Sequence, residues 1–335
     1  MSIIFIILFN LIILINIDFI NKKYAVYDYP DNNRKIHKKK ISLSGGLIIF
    51  LNIFFIFFFF SFNNSQFETL IKYFFSNNIN YLFLLFFWLT IIFTFGYFDD
   101  KFNITANKKI IFLLLFIFFC IRLDSSLVIS KISFSFSKDL FYLQPYEIFF
   151  TILCFLLFMN AFNMYDGINL QSGLYTIYIF IIFFLFTANY FFLVVLIPLV
   201  TFLYLNSKNK IFLGNSGSYL IGFLISYFII KIFNNFNNIT SDKIFLLMLM
   251  PGFDMLRLFV VRLLKKKNPF APDNDHFHHL LSSNYNFIYA VIINFFLSIM
   301  PFILGHFLSS YISFLIFLII YFSFLTFFKI NDQKY

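Results

Sequence analysis

The stretch from residue 79 to residue 101 reads INYLFLLFFWLTIIFTFGYFDDK. About 20 apolar-rich residues lead into two adjacent carboxylates, and a helix of that length is just long enough to cross the hydrocarbon layer of a bilayer. The two acids, Asp99 and Asp100, are therefore expected where the membrane meets water. Neighbouring negative charges repel each other, and a divalent cation or a cationic substrate group relieves that repulsion. We interpret this stretch as the centre of a candidate site.

The composition indicates an integral membrane protein. The 335 residues are 61% hydrophobic and only 12% charged, and a soluble domain has about twice that charged fraction. The net charge of +10 comes mostly from basic residues in short loops between apolar runs, where they fix orientation, so no nucleic-acid partner is expected. Cys120 and Cys154 both lie in apolar runs, which predicts neither a disulfide nor a cysteine metal site.

The apolar runs predict an all-α polytopic membrane protein, with residues 1–335 forming a single domain. Long uninterrupted apolar runs are typical of helices and not of barrel strands. A roughly three-to-one excess of Lys and Arg on alternate loops places the N-terminus outside, and the C-terminus and the catalytic loops in the cytoplasm. Outside, residues 125–139 alternate polar and apolar, which predicts a short periplasmic β-hairpin. About eleven transmembrane helices are expected, at residues 2–20, 44–62, 79–98, 110–123, 146–162, 172–187, 189–205, 216–233, 243–262, 287–306 and 309–328.

The first polar cytoplasmic loop contains Arg34, Lys35 and His37 and ends in Gly45-Gly46. One interpretation is a basic anchor that binds anionic lipid headgroups. The other is a lid of basic side chains over phosphates, with the glycine pair letting the next helix begin close to a ligand.

A second group of polar residues ends the run at 146–162. Asn160, Asn163 and Asp166 recur every three residues, near one helical face, and Gly167 then permits a turn. Helix capping explains this pattern, but polar groups aligned at the end of an apolar helix are unfavourable without a partner. Oxygen ligands for Mg²⁺ are the preferred interpretation.

Further along, Asn215 and Ser216 open an apolar helix, either as ordinary caps or with backbone N–H groups directed at an anion. Asp254 and Arg257 stand three residues apart inside a span, where they neutralise each other or serve a function.

The last polar stretch holds three of the five histidines, His276, His278 and His279. A zinc site has no cysteine support. Imidazoles that donate to phosphate or nucleotide oxygens fit better beside the acids.

Taken together and in this order, these stretches resemble the polyprenyl-phosphate N-acetylhexosamine-1-phosphate transferase family (glycosyltransferase family 4). The resemblance runs from about Asp28 to Leu281. It is closer to the branch that initiates enterobacterial common antigen, O-antigen and teichoic acid than to the lipid I synthase of peptidoglycan. The motifs that carry it are Arg34 to His37 with Gly45-Gly46, Gly96 to Asp100, Asn160 to Gly167, Phe212 to Ser218, and Asp273 to His279.

The resemblance implies an Mg²⁺-dependent phosphotransferase, with Mn²⁺ as an alternative ion. Such an enzyme moves N-acetylhexosamine-1-phosphate, here GlcNAc-1-phosphate, from a UDP-sugar to undecaprenyl or another polyprenyl phosphate and releases UMP. By the same resemblance Asp99, Asp100 and Asp166 are catalytic, and Asn163 and Asn215 are metal ligands. The implied substrate-binding residues are Arg34, Lys35, His37, Lys109, Asn160, Asp254, Arg257, His276, His278 and His279.

The implied setting is the inner (plasma) membrane, where the enzyme initiates a cell-surface glycan; the resemblance also allows a homodimer. Two positions depart from the family pattern, because Asn169 and Asn215 stand where Asp is usual. Asn215 keeps an oxygen ligand but lacks a negative charge. The alternative is therefore a catalytically weakened homologue that binds nucleotide-sugar or lipid without turnover. A secondary transporter is disfavoured, because the sequence shows no repeats and the acids lie at one rim.

Overall fold

The computed structural model describes residues 2–30, 39–60, 74–75, 79–236, 239–268 and 275–332. These residues are mostly helical, which confirms the all-α membrane class. The helices are α1 (Ser2–Ile15), α2 (Ile17–Tyr24), α3 (Gly45–Phe60), α4 (Ile79–Phe102), α5 (Ala106–Leu123), α6 (Glu147–Tyr165), α7 (Gln171–Thr187), α8 (Phe191–Val194), α9 (Leu196–Ser207), α10 (Gly214–Asn235), α11 (Ser241–Leu247), α12 (Leu249–Leu264), α13 (Phe277–Asn284), α14 (Phe287–Phe307) and α15 (Ser310–Asp332).

Within the described residues, every predicted apolar run falls on one helix or on two consecutive helices. By length and composition, five helices within the described ranges are able to cross a membrane alone, namely α4, α6, α10, α14 and α15. Two bent pairs, α1 with α2 at 69° and α11 with α12 at 76°, raise the number to as many as seven. The chain is thus a multi-pass membrane protein. The count of eleven spans and the orientation of the termini stay predictions.

Helix α10 lies at the centre of the fold. Of its most apolar window, 94% is buried inside the protein, against 22% for α15. A helix that is apolar on all sides is stable in such a position, and small residues at an interface let helix backbones approach closely. Gly96 of α4 shows this directly, because a Cβ atom there would overlap the backbone of Ser216 at the start of α10.

The glycine pair that precedes α3 also meets the start of α10. The N–H groups of Gly45 and Gly46 donate to the carbonyl oxygens of Phe212 and Leu213, at 2.9 and 3.0 Å. A Cβ atom on Gly46 would overlap the backbone of Gly217. The pair therefore lets α3 begin in close contact with another helix, and the interpretation that it also brings α3 close to a ligand stays a prediction.

A hairpin is present beyond α5, as the alternating pattern predicted. Strand β3 (Lys131–Ser133) pairs antiparallel with β4 (Leu140–Tyr142), and Ile132 lies opposite Phe141. The second strand begins past residue 139, outside the predicted range, because the polar residues before it form the turn. Strands β1 (Tyr27–Asp28) and β2 (Ile41–Ser42) form a second small antiparallel pair. This pair lies beside the start of α10, because the Phe212 N–H donates to the Ser42 carbonyl.

Candidate active site

The first acid of the pair is neutralised by a lysine. Asp99 lies on the last turn of α4 and is fully buried, and Lys109 from the first turn of α5 places Nζ 2.7 Å from its Oδ2. The backbone N–H of Ile104 donates to its Oδ1 at 3.0 Å. The connection between the two helices is short, which brings this predicted pair of residues together at one rim. Among the described residues, Lys109 therefore supplies the positive charge nearest to Asp99.

The second acid caps the central helix. Asp100 accepts the backbone N–H of Asn215 through Oδ1 at 2.7 Å and that of Ser216 through Oδ2 at 3.0 Å. The first N–H groups of a helix lack internal partners and carry its positive dipole end, so a carboxylate is stabilised there. The sequence predicted that these N–H groups meet a substrate anion or a capping side chain from Asn215 or Ser216. In the structure, the carboxylate of Asp100 accepts from them. Gly214 makes room with a φ of +73°, a conformation that favours glycine.

The two predicted metal ligands are in contact across helices α6 and α10. Asn163 donates its amide N–H groups to Asn215 Oδ1 at 2.9 Å and to Ser218 Oγ at 2.6 Å. Both of these hydrogen bonds use Nδ2 of Asn163, so its Oδ1 takes no part in them. Asn160, one turn earlier, instead donates to the Leu156 carbonyl of its own helix at 2.8 Å.

Asp166 follows the end of α6 and is partly exposed. Burial by the surrounding protein is the main cause that raises the pKa of its carboxyl to about 7; a hydrogen bond from Ser172 acts in the opposite direction, and the nearby charge of Asp100 adds to the rise. Within the described ranges, no basic side chain forms an ion pair with either Asp100 or Asp166. A bound cation would favour the ionised form of Asp166. We refer to Asp100, Asn163, Asp166 and Asn215 as the acidic recess.

The histidines join this recess through Gly167. The imidazole of His278 lies directly against Gly167, where any Cβ atom would overlap its ring. Burial holds the pKa of His278 well below its usual value, so that the ring is neutral. The ring of His279 lies beside it, with centroids 4.3 Å apart. These contacts place His278 against the residue that follows Asp166, with His279 beside His278.

Asp254 and Arg257 neutralise each other, as one interpretation of their spacing predicted. Arg257 Nη2 lies 2.7 Å from Asp254 Oδ1 and also donates to the Asp275 carbonyl at 2.7 Å. Asp254 further accepts from the Tyr321 hydroxyl at 2.6 Å, and its Oδ2 lies 3.1 Å from His276 Nδ1. The pair therefore anchors the start of the histidine stretch.

A metal ion fits poorly at this second cluster. One potential ligand atom from each of Asp254, His276 and His278 lies within 4.8 Å of the others. However, the carboxylate already accepts from Arg257 and Tyr321, and a cation would stand beside the guanidinium.

Asn169, one of the two departures from the family pattern, ties two loops together. Its amide donates to Asn209 Oδ1 at 2.6 Å and to the Asn206 carbonyl at 3.2 Å. The side chain of Asn206 in turn accepts from the backbone N–H of Leu170 at 2.7 Å. An amide both donates and accepts, as an ionised carboxylate does not, so Asn at position 169 suits this clamp.

The structure thus brings most of the predicted site residues to one region: Asp99, Asp100, Lys109, Asn163, Asp166, Asn215, Asp254, Arg257, His276, His278 and His279. Arg34, Lys35 and His37 lie outside the described residues. Ser172 and Tyr321, which donate to Asp166 and Asp254, had no role predicted from the sequence. Ser172 follows the Gly167 turn closely enough to be suspected, whereas nothing local marks Tyr321.

Comparison with known proteins agrees with this geometry. The family described as "Glycosyl transferase family 4" matches residues 82–233, which run from α4 to α10. The chain is 30% identical over 264 residues to the undecaprenyl-phosphate alpha-N-acetylglucosaminyl 1-phosphate transferase of Thermotoga maritima, covering 78% of this chain and 74% of the relative. The chain belongs to the polyprenyl-phosphate N-acetylhexosamine-1-phosphate transferase family.

Other relatives of the same name support this assignment to the transferase family. The enzyme of Salmonella typhi is 27% identical over 272 residues, covering 77% of this chain and 70% of its own length. The enzyme of Escherichia coli K12 is 25% identical over 278 residues, covering 78% and 70%. The family assignment makes the chain a membrane-bound phosphotransferase, and the matched range contains the whole acidic recess.

Proposed function

We propose that this transferase moves GlcNAc-1-phosphate from UDP-GlcNAc to undecaprenyl phosphate, releases UMP, and so initiates a cell-surface glycan. The reaction takes place at the cytoplasmic face of the inner membrane. One observation carries the proposal: Asp100 and Asp166 are both partly exposed, the charge of one acts on the other, and neither has a basic partner among the described residues. The names of the relatives support the donor sugar and the lipid acceptor.

The acidic recess has the donor set for Mg²⁺, with Mn²⁺ as a substitute. Two carboxylates and two amide groups offer hard oxygen ligands. Asp166 and Asp100 would hold the ion by charge, and Asn163 and Asn215 by their oxygens. When bound, Mg²⁺ neutralises diphosphate charge and stabilises the departing UMP.

The acceptor phosphate is best placed at the other acid. Lys109 is 24% exposed at its side chain, so its ammonium group reaches both Asp99 and an incoming phosphate. A phosphate monoester is mostly ionised near neutral pH, since its second pKa is about 6. Asp99 therefore orients Lys109 and the nucleophile and has little need to remove a proton. Phosphoryl transfer depends chiefly on such positioning and on charge neutralisation.

A weakened enzyme is the second candidate, and Asn215 favours it. Its Oδ1, the oxygen that would face a cation, already accepts from Asn163 at 2.9 Å. With an amide in place of a carboxylate, the recess has one negative charge fewer for Mg²⁺. In this case the protein binds nucleotide-sugar or lipid without turnover.

A donor panel separates the two candidates. Purified protein is mixed with undecaprenyl phosphate, Mg²⁺ and one labelled UDP-N-acetylhexosamine at a time, and UMP is measured. We expect UMP from UDP-GlcNAc only when lipid and Mg²⁺ are both present, and none after chelation. Asp242→Asn is the matched control, because Asp242 is a buried acid that accepts from Ser135 near the hairpin, away from the recess. Failure of every donor would contradict an active transferase, and donor binding without UMP would establish the weakened form.

A further inference from the structure

We propose that Asp254 and Tyr321 are positioning residues that hold the imidazole of His276 with its proton on Nδ1, beside the acidic recess. The proposal deepens the proposed function, because it assigns a role to a group that faces the substrates. It also adds the last helix, α15, to the machinery of the site, although that helix lies beyond the residues of the family match.

The protonation of His276 follows from its partner. Asp254 Oδ2 lies 3.1 Å from His276 Nδ1, and Arg257 lies 2.7 Å from the other carboxylate oxygen. An arginine at that distance keeps the carboxylate ionised, and an ionised carboxylate only accepts hydrogen bonds. Nδ1 of His276 must therefore donate. In this arrangement the partner of one ring nitrogen decides the state of the other.

Tyr321 holds Asp254 in place, and Asp254 in turn orients His276. Its hydroxyl donates to Asp254 Oδ1 at 2.6 Å and accepts from Arg257 Nε at 2.7 Å. Its ring stacks on Phe277, the residue after His276, with centroids 4.7 Å apart. The side chain is fully buried. One tyrosine thus holds both the carboxylate and the backbone segment that carries the histidine.

The consequence concerns Nε2 of His276, whose role follows from the bond that Nδ1 makes. With Nδ1 bound to Asp254, Nε2 is the ring atom left for a substrate, and the imidazole is 10% exposed. It accepts from a sugar hydroxyl or amide when the ring is neutral, and donates to a phosphate oxygen when the ring is protonated. The adjacent His278 lies against Gly167, so that this atom belongs to the same region as Asp166.

The substitution Asp254→Asn tests the tautomer without removing volume. Arg257 and Tyr321 both donate to Oδ1, so the amide oxygen of the new side chain takes that position. The amide NH₂ then takes the position of Oδ2 and donates to His276 Nδ1, which must become an acceptor. Nitrogen NMR of histidine-labelled protein reads this directly, because the chain has five histidines and His276→Gln identifies the signal.

We expect Nδ1 of His276 to carry the proton in the unmodified protein and Nε2 to carry it in Asp254→Asn. An Nδ1 without a proton in the unmodified protein, or an unchanged tautomer in the variant, would overturn the proposal. This measurement does not need an active enzyme, so it decides the inference even if no UDP-sugar gives UMP. A failure of the donor panel alone would instead count against the proposed function.

Activity gives the second readout. Asp254→Asn should lower kcat by about 10²-fold, because a wrong tautomer misplaces a proton while the geometry survives. Tyr321→Phe should lower it about tenfold, as expected for a residue that orients another. In a His276→Ala background neither change should lower kcat much further, because residues that act through one group are not additive. Additive losses would overturn the positioning role.

Tyr175→Phe is the matched control for Tyr321→Phe. Tyr175 is equally buried in a helix, and its hydroxyl makes one hydrogen bond, to the Leu247 carbonyl at 3.1 Å. Both variants lose one buried hydroxyl, so we expect similar thermal unfolding temperatures. Only Tyr321→Phe should lose activity. Equal activity of the two variants would show that Tyr321 serves stability alone.

Discussion

The two ends of α10 treat buried charge in opposite ways. Near its C-terminal end, Lys231 Nζ lies 2.6 Å from Asp124 Oδ2, and both side chains are 1% exposed. Asn234 holds the same segment by donating to the carbonyl oxygens of Ser126 and Val128 at 2.8 and 3.0 Å. At the N-terminal end, Asp100 and Asp166 face a recess without a basic partner among the described residues.

This difference separates structure from function on one helix. A buried ion pair is tolerable only when each charge is matched and hydrogen-bonded, and the pair at Lys231 meets that condition. Unmatched acids in a recess are unfavourable unless a ligand completes them, and such groups mark functional sites. The Lys231 end therefore secures the fold, whereas we propose that a cation completes the Asp100 end.

The largest expected effect comes from the acid that holds Lys109. Asp99→Asn removes the charge that orients this lysine at 2.7 Å. We expect kcat to fall by about 10³-fold, which corresponds to roughly 4 kcal/mol of transition-state stabilisation. UMP release measures this, with Asp242→Asn as the control that makes the same change at a buried acid elsewhere. A loss of less than about twofold would remove Asp99 from the reaction.

The ion pair at the Lys231 end of α10 is tested by Lys231→Met. This change leaves Asp124 buried without its counter-charge, and we expect the free energy of unfolding to fall by about 3–5 kcal/mol. Adding Asp124→Asn should restore much of that loss, because the acceptor for Ser126 N–H remains while the unmatched charge is gone. Detergent-stability measurements compare the variants. If the double variant were no more stable than the single one, the ion pair would not explain the stability of this end.

The packing of α4 on α10 is tested at a glycine. In Gly96→Ala the new methyl group meets the backbone of Ser216, which has no room to yield, so we expect a loss of about 1–3 kcal/mol in stability. Gly252→Ala is the matched control, since no atom lies within 4 Å of its Cβ position. Alanine at 252 should stabilise by up to about 1 kcal/mol through helix propensity. Thermal unfolding of both variants measures the contrast, and equal responses would contradict the close approach.

The smallest expected effect concerns the Asp100 end of α10. Asn215→Asp restores a carboxylate to the recess, and we expect half-maximal activity at roughly tenfold lower Mg²⁺, a gain of about 1.4 kcal/mol. Asn209→Asp is the control, because it adds the same charge nearby and keeps the acceptor for Asn169. A Mg²⁺ requirement that rises in Asn215→Asp would show that Asn215 is not a metal ligand.

The sequence predicted well those features that depend on local composition. The apolar runs located the helices, and the acids at the end of α4 and the polar turn after α6 located the recess. It could not predict contacts that depend on packing between distant segments. Asp100 caps α10 by accepting from Asn215, 115 residues later, and Tyr321 donates to Asp254 across 67 residues. No periodicity in either segment indicates its partner.

Measuring cation binding at the Asp100 end of α10 is the most direct test of the proposed metal site. Mn²⁺ substitutes for Mg²⁺ and its free form is measured by electron paramagnetic resonance, without any substrate. Titration of the purified protein should show about one bound Mn²⁺ per chain that Mg²⁺ displaces. Binding should be strongly weakened in Asp166→Asn and unchanged in Asp242→Asn. Absence of binding, or binding that Asp166→Asn leaves intact, would contradict the claim that the acidic recess holds the cation.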